Sequence, residues 1–354
     1  PTLLLDPFAG TGSSLAFARQ SGIPSVGIEL STLGVLIAKA RLCPPPNLEE
    51  AVTIAKRIAK GHTEPRFHQF AETLVDWIGE ENCFSLHCYM RDIDALLDAK
   101  LKRWLRLCVS SALRPCSKWL SGSIRPQIDP SREPSPIGPH FLRAVTKLSR
   151  DCDVERSRWQ EDTSASIQLG DARRLPFDDY SIDAILTSPP YETMYDYFDV
   201  HRLSYLAFGW PKPRHRQIGQ ASGVTRDGVG FIPPPFMTNW YRRDFRGEDT
   251  IEGRSLRAYI VAMRTHLLEV RRVLSPKGVA AYAVANTVRD GRTFSLVQML
   301  ASLFRETGFE RVELRTRESS HRRILPAGRD RKTGRFSSRG SESLVDEYVI
   351  YGRR

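Results

Sequence analysis

The chain opens on PTLLLDPFAGTGSSLAFARQSG: an apolar run, a glycine turn, then Leu15, Ala16 and Ala18 at helical spacing before Gly22. That order reads as strand, turn and helix. PSVGIEL repeats the strand and STLGVLIAKARL repeats the helix, with Ser31 as its cap. Two successive strand–helix units cannot close as hairpins. They require a parallel sheet covered by helices, and such a sheet binds its ligands at the carboxyl ends of the strands. The chain starts directly on this core strand and without methionine, so natural residues are expected to precede Pro1.

CPPPN at 43–47 breaks the pattern. Residues 43–160 read as a mostly helical insertion, with helical windows at 48–60 and 92–109 and a Pro/Ser-rich, extended stretch at 125–139. The α/β pattern returns at 161, with a short strand ending at Gly170 and a stronger one at 182–187, then a Pro/Gly/Arg-rich loop at 211–250. An amphipathic helix ended by Pro276, the strand VAAYAVAN, a helix at 294–307 and the strands FERVELRTRE and SLVDEYVIYG complete the chain. The expected organisation is a core of residues 1–42 and 161–354, interrupted by 43–160 acting as a target-recognition region or a lid.

At 354 residues and 41% hydrophobic, the chain can bury a sizeable core. It has no apolar run long enough to span a membrane and no signal-peptide pattern at its start, so the cytoplasm is the expected compartment. The six cysteines form no CxxC pair, which points away from a zinc site and a disulfide framework and toward reduced, structural thiols. The net charge of +11 is unevenly spread: residues 1–200 carry 23 basic against 26 acidic side chains, residues 201–354 carry 29 against 15. The basic half is nearly all arginine, whose planar fork matches phosphates and guanine edges, so nucleic acid is the expected partner.

The glycine turn, Asp6-Pro7-Phe8-Ala9-Gly10-Thr11-Gly12, lets backbone approach a ligand closely. No GKS or GKT follows, and the spacing is not GxGxxG, so neither a P-loop nor a dinucleotide fingerprint is present. Glu29 ends the second strand, where a carboxylate can accept from both ribose hydroxyls. Asp171 follows a third strand, suited to an adenine amino group. Two acids and a glycine loop at three strand ends describe an adenosine-shaped pocket. Ser188-Pro189-Pro190-Tyr191 then follows a fourth strand. A Pro-Pro step removes two amide donors and leaves carbonyls outside sheet pairing. The Ser188 hydroxyl and the Pro189 carbonyl can hold both N–H bonds of a nucleobase amine, with its lone pair aimed at a sulfonium methyl. Tyr191 would stack on a base flipped from a duplex.

Together these segments resemble the S-adenosylmethionine-dependent amino-methyltransferases of DNA, particularly the cytosine-N4 group with its SPPY motif. The resemblance covers residues 1–42 and about 165–354. It implies a Rossmann-like class I methyltransferase sheet, α/β with helices on both faces. It also implies S-adenosyl-L-methionine as cofactor, with Asp6, Phe8, Gly10 and Gly12 in the cofactor loop, Glu29 at the ribose, Asp171 and Ala172 at the adenine, and Ser188 to Tyr191 at the target base. Double-stranded DNA is the implied partner and, in a restriction-modification setting, so is a cognate restriction nuclease. Ser188 stands where adenine-N6 enzymes usually carry Asp or Asn, which favours cytosine N4.

Cytosine-C5 chemistry needs a thiolate in the catalytic loop, and this loop has no cysteine. Direct transfer to an amine needs no metal, and no ligand cluster is evident. The rivals are an adenine-N6 DNA enzyme, an RNA base-amine methyltransferase, and a non-catalytic nucleic-acid-binding subunit. Residues 315–340 hold nine Lys/Arg against two acids, so Arg322, Arg323, Arg329, Arg331, Lys332 and Arg335 are expected at phosphates. Residues 212–228 are a second candidate for DNA contact, and His201 and Arg202 are candidates for the active-site wall.

Overall fold

The computed structural model describes residues 2–60, 72–123, 125–192, 196–213, 217–218, 251–289, 292–317 and 347–354. Its centre is a seven-stranded sheet in the order β3-β2-β1-β4-β5-β9-β8. The strands are β1 (Leu4–Asp6), β2 (Ser25–Glu29), β3 (Ala165–Leu169), β4 (Ile182–Thr187), β5 (Leu274–Ala285), β8 (Glu310–Arg317) and β9 (Glu347–Arg353). The first five run parallel, and β9 is antiparallel to both of its neighbours. A two-stranded ribbon, β6 (Thr287–Arg289) with β7 (Arg292–Phe294), follows β5. This is the Rossmann-like α/β sheet expected.

The chain moves outward from β1 through β2 to β3, then returns to place β4 on the other side of β1. That reversal opens a crevice at the carboxyl ends of β1 and β4, the switch point at which doubly wound sheets bind ligands. Leu4, Leu5 and Asp6 are all buried, as a central strand covered on both faces requires. Helices α1 (Ser13–Gln20) and α2 (Thr32–Leu42) pack on β2 and β3 through Leu15, Val35, Ala38 and Ile167. The Ser31 hydroxyl caps α2 by accepting from the Gly34 amide at 3.1 Å.

The insertion supplies α3 (Leu48–Ala59), α4 (Glu72–Ile78), α5 (Glu80–Asp94), α6 (Ala99–Cys116) and α7 (Ile137–Arg156). The window at 92–109 is split, because Asp98 accepts from the Lys100 and Leu101 amides and starts a new helix. The extended stretch ends sooner than Pro/Ser content suggests: α7 begins at Ile137, with Pro139 in its first turn, where a missing amide is harmless. Trp104, Cys108 and Phe141 form the insertion's core. That core continues into Ala40 of α2 and Leu203, so the insertion is seated on the sheet's helical layer.

After β4 come two short helices, α8 (Tyr197–Val200) and α9 (Arg202–Ala207), then α10 (Ile251–Val273) and α11 (Leu296–Glu306). Met263, Leu267 and Val270 of α10 and Leu300 and Phe304 of α11 pack with Leu5, Ile185 and Tyr282 from the sheet. Among the described residues no helix is long and apolar enough to cross a membrane.

Candidate active site

A cavity of about 320 Å³ lies at the switch point. Eight of the residues singled out from the sequence line it: Phe8, Gly10, Glu29, Asp171, Ala172, Ser188, Pro190 and His201. The glycine loop enters through Gly10, which adopts a positive φ of 52° open to glycine at no steric cost. The Gly10 amide donates to Glu29 Oε2 at 2.8 Å, and the Ser31 amide to Oε1 at 2.7 Å. One carboxylate thus ties the loop to the start of α2 and keeps acceptor capacity toward the cavity. Burial raises Glu29 above the ordinary carboxylate range against these bonds, and the nearby Asp6 charge adds to the rise.

Asp171 is fixed by its own loop. Its Oδ1 accepts from the Arg173 amide and Nε, both at 3.0 Å, and its Oδ2 from Arg173 Nη2 at 2.8 Å. Its carboxylate is therefore oriented within the wall rather than loose in solvent.

Other candidates stand behind the wall. Asp6, set in the cofactor loop by the resemblance, is 4% exposed and does not line the cavity. It accepts from the Phe8 amide at 3.0 Å, from Thr187 Oγ1 at 2.6 Å and from the Ser14 hydroxyl. Asp6 therefore clamps the glycine loop to α1 and to the end of β4, and burial raises its pKa. Gly12 caps α1 with a φ of 77°, and a Cβ there would meet Ala38 Cβ at 3.0 Å, so it serves turn and helix packing. Pro189 is buried, and Tyr191 is half-buried against the sheet's core. The Pro190 carbonyl, one of those freed from the sheet, accepts from the Tyr259 hydroxyl at 2.8 Å. No described group bonds the Pro189 carbonyl.

His201 lines the cavity, whereas Arg202 is turned aside into an ion pair with Asp199 at 3.1 Å. Arg322, Arg323, Arg329, Arg331, Lys332 and Arg335 lie outside the described residues, as does most of 212–228; within that stretch Gln217 and Ile218 are described and line the cavity.

The sequence reading missed three residues. Gly34, on α2, lies so close that a Cβ would meet Glu29 Cγ at 2.8 Å and the Gly10 carbonyl at 3.1 Å. Tyr259 and His266, both on α10, reach separate loops. His266 is fully buried, with Nδ1 2.8 Å from the Ala172 carbonyl and Nε2 2.6 Å from the Tyr282 hydroxyl. A carbonyl only accepts, so Nδ1 carries the proton and Nε2 accepts from Tyr282. The Phe8 ring rests on this imidazole with centroids 4.6 Å apart. Two walls of the cavity therefore lean on one neutral histidine.

Burial pushes His266 down to about 4. The unfolded chain binds that proton more readily, so the stability this group contributes is complete above about pH 6.5 and is lost as pH falls toward 4. The shift corresponds to about 3 kcal/mol. Asp6 and Glu29, with raised values, act in the opposite sense over the acid range, so wild-type stability alone mixes these effects. His266→Gln retains a donor and an acceptor without the titration. Denaturant unfolding should show the wild-type advantage over this variant shrinking by about 3 kcal/mol between pH 7 and pH 4. A pH-independent difference would remove His266 from this role.

Five of the six cysteines are buried and all are free. Burial pushes Cys83 up to about 11 and Cys116 up to about 12, which leaves these thiols protonated and unreactive.

No family model and no curated protein matches the chain. Among solved structures, a SAM-dependent methyltransferase from Methanosarcina mazei aligns over 99% of this chain and 92% of its own, at 11% identity and a TM-score of 0.36.

Proposed function

We propose that this chain is an S-adenosylmethionine-dependent DNA methyltransferase that modifies the exocyclic N4 amine of a flipped cytosine by direct transfer. The observation that carries the reading is that Ser188 and Pro190 line the same cavity as Gly10, Glu29 and Asp171. The Pro-Pro loop and the two acids thereby share one cavity.

The residues present fit the cofactor. Glu29 offers acceptors for ribose hydroxyls, Asp171 a fixed carboxylate for the adenine amine, and Phe8, Leu30 and Ile218 apolar surface for the ring. When bound, S-adenosylmethionine supplies a sulfonium methyl, an electrophile that a nitrogen lone pair can take. The chain's own part concerns the base. A cytosine amine is a poor nucleophile because its lone pair is delocalised into the ring. The exposed Ser188 hydroxyl can accept one of its N–H bonds, which weakens the conjugation of the lone pair with the ring and fixes its direction, whereas the Pro189 carbonyl expected to take the other N–H is not part of the cavity lining. Tyr259 keeps the Pro-Pro loop in place by bonding the Pro190 carbonyl.

Mass spectrometry of nucleosides from duplex DNA and bulk RNA, each incubated with the protein and S-adenosylmethionine, tests the proposal. N4-methylcytosine in the DNA digest is the expected product. N6-methyladenine would reverse the base assignment drawn from Ser188, and methylation confined to RNA would overturn the substrate. A protein that binds the cofactor yet methylates neither nucleic acid would point to a missing partner or to a non-catalytic binding subunit.

A further inference from the structure

A second and larger groove, of about 1140 Å³, runs along α7 and opens beside the cofactor cavity, with Thr11 and Ile37 lining both. Its lining includes five cations, Arg41, Arg143, Lys147, Arg150 and Arg158, against two carboxylates. Both carboxylates are neutralised. Glu155 is held by Arg41 at 2.7–2.9 Å and Asp151 by Lys147 at 2.5 Å. Arg143, Arg150 and Arg158 are exposed, and among the described residues none of the three has an ion-pair partner. This concentration of cations lies in the half of the sequence whose net charge is slightly negative, so it is a local feature.

We infer that this groove is a track for the phosphate backbone of the DNA substrate, and hence that the insertion serves DNA binding; the inference rests on the function proposed above. Arg143, Lys147 and Arg150 follow one another at helical spacings of four and three, on one face of α7. They span about 10 Å of helix axis. One strand of a duplex passes about three phosphates in that distance. Arg158 extends the row beyond the helix end. The floor between the rims is apolar, with Leu107, Leu142 and the buried Trp104, and presents no unpaired carboxylate to repel phosphate. Continuity with the glycine loop at Thr11 brings a strand held here to the mouth of the cavity that Ser188 lines.

The test is fluorescence anisotropy with a labelled 30-base-pair duplex over a range of salt concentrations, alongside calorimetric titration with S-adenosylmethionine. Three exposed, unpaired side chains can be changed together without disturbing a core contact. The variant R143Q/R150Q/R158Q should lower the slope of log affinity against log salt by about 2 to 3, since each phosphate contact contributes about 0.9. Its affinity at 0.1 M salt should fall at least about tenfold, with cofactor affinity unchanged. Arg305→Gln, an exposed arginine on α11, should leave the slope within about 1 of wild type.

A triple variant with the wild-type slope, in a protein that still binds cofactor and methylates DNA, would overturn the groove and leave the methyltransferase reading standing. Loss of slope with a structured RNA but not with duplex DNA would overturn the assignment to DNA. Failure of the underlying reading is a separate result: the wild-type protein would bind no S-adenosylmethionine.

Discussion

Replacing Glu29 with alanine should raise the dissociation constant for S-adenosylmethionine at least about 100-fold. The carboxylate holds the glycine loop through the Gly10 amide and the start of α2 through the Ser31 amide, while its remaining lone pairs face the cavity. Bonds to a charged acceptor contribute about 1.5–3 kcal/mol each. Losing the proposed ribose contact and the loop's anchor together would therefore remove about 3 kcal/mol or more, which is a factor above 100 in affinity. Glu29→Gln keeps the shape and one acceptor oxygen and should fall between the two. Gly34→Ala provides an independent approach, since its Cβ would press on Glu29 Cγ at 2.8 Å without deleting any polar group. It should weaken cofactor binding in the same direction, with a thermal unfolding curve reporting whether the fold survives. Wild-type affinity in Glu29→Ala, measured by calorimetric titration, would move the cofactor away from this cavity.

Most of the sheet was legible because parallel strands buried on both faces leave continuous apolar runs, and the covering helices leave periodic ones. Where reading and structure part, the cause is a contact remote in sequence. The strand expected at Val279 begins at Leu274, because Leu274 pairs with Ile182 across a register shift that local pattern does not encode. Pro276 and Gly278 within it read locally as a helix stop. Conversely, the break in the 92–109 window is local, but Asp98 as a cap is visible only once Lys100 and Leu101 are seen to donate to it.

The site divides in the same way. That Glu29 and the glycine loop meet at one cavity was legible because both follow adjacent parallel strands at the same edge of the sheet. Asp6 looked equally functional, yet its partners Ser14 and Thr187 lie eight and 181 residues away, and they consume the carboxylate in holding the loop. Tyr259 and His266 were hidden for the opposite reason. They lie seven residues apart on one face of an amphipathic helix, where an aromatic and a histidine read as core. What singles them out is the pair of carbonyls they meet, Pro190 and Ala172, each supplied by a different loop. Helix α10 is thus a strut between the loop that carries Pro190 and the loop that carries Ala172.

Ser188→Ala should lower kcat by about 10² to 10³ while leaving cofactor affinity unchanged, because in the proposed reaction its hydroxyl acts on the base amine and not on the cofactor. Tyr259→Phe should also spare cofactor affinity and lower kcat by about tenfold, through a loop displaced by a fraction of an ångström once the 2.8 Å bond to the Pro190 carbonyl is gone. Single-turnover methylation of duplex DNA at saturating cofactor separates these effects from binding. The double variant makes the stronger test. If Tyr259 is a positioning residue whose purpose is to present the Ser188 loop, then removing it after Ser188 is already alanine should have little further effect, and the two losses should not multiply. Fully multiplicative losses would mean that Tyr259 acts independently of Ser188, and an unchanged kcat in Ser188→Ala would take the hydroxyl out of the transfer step altogether.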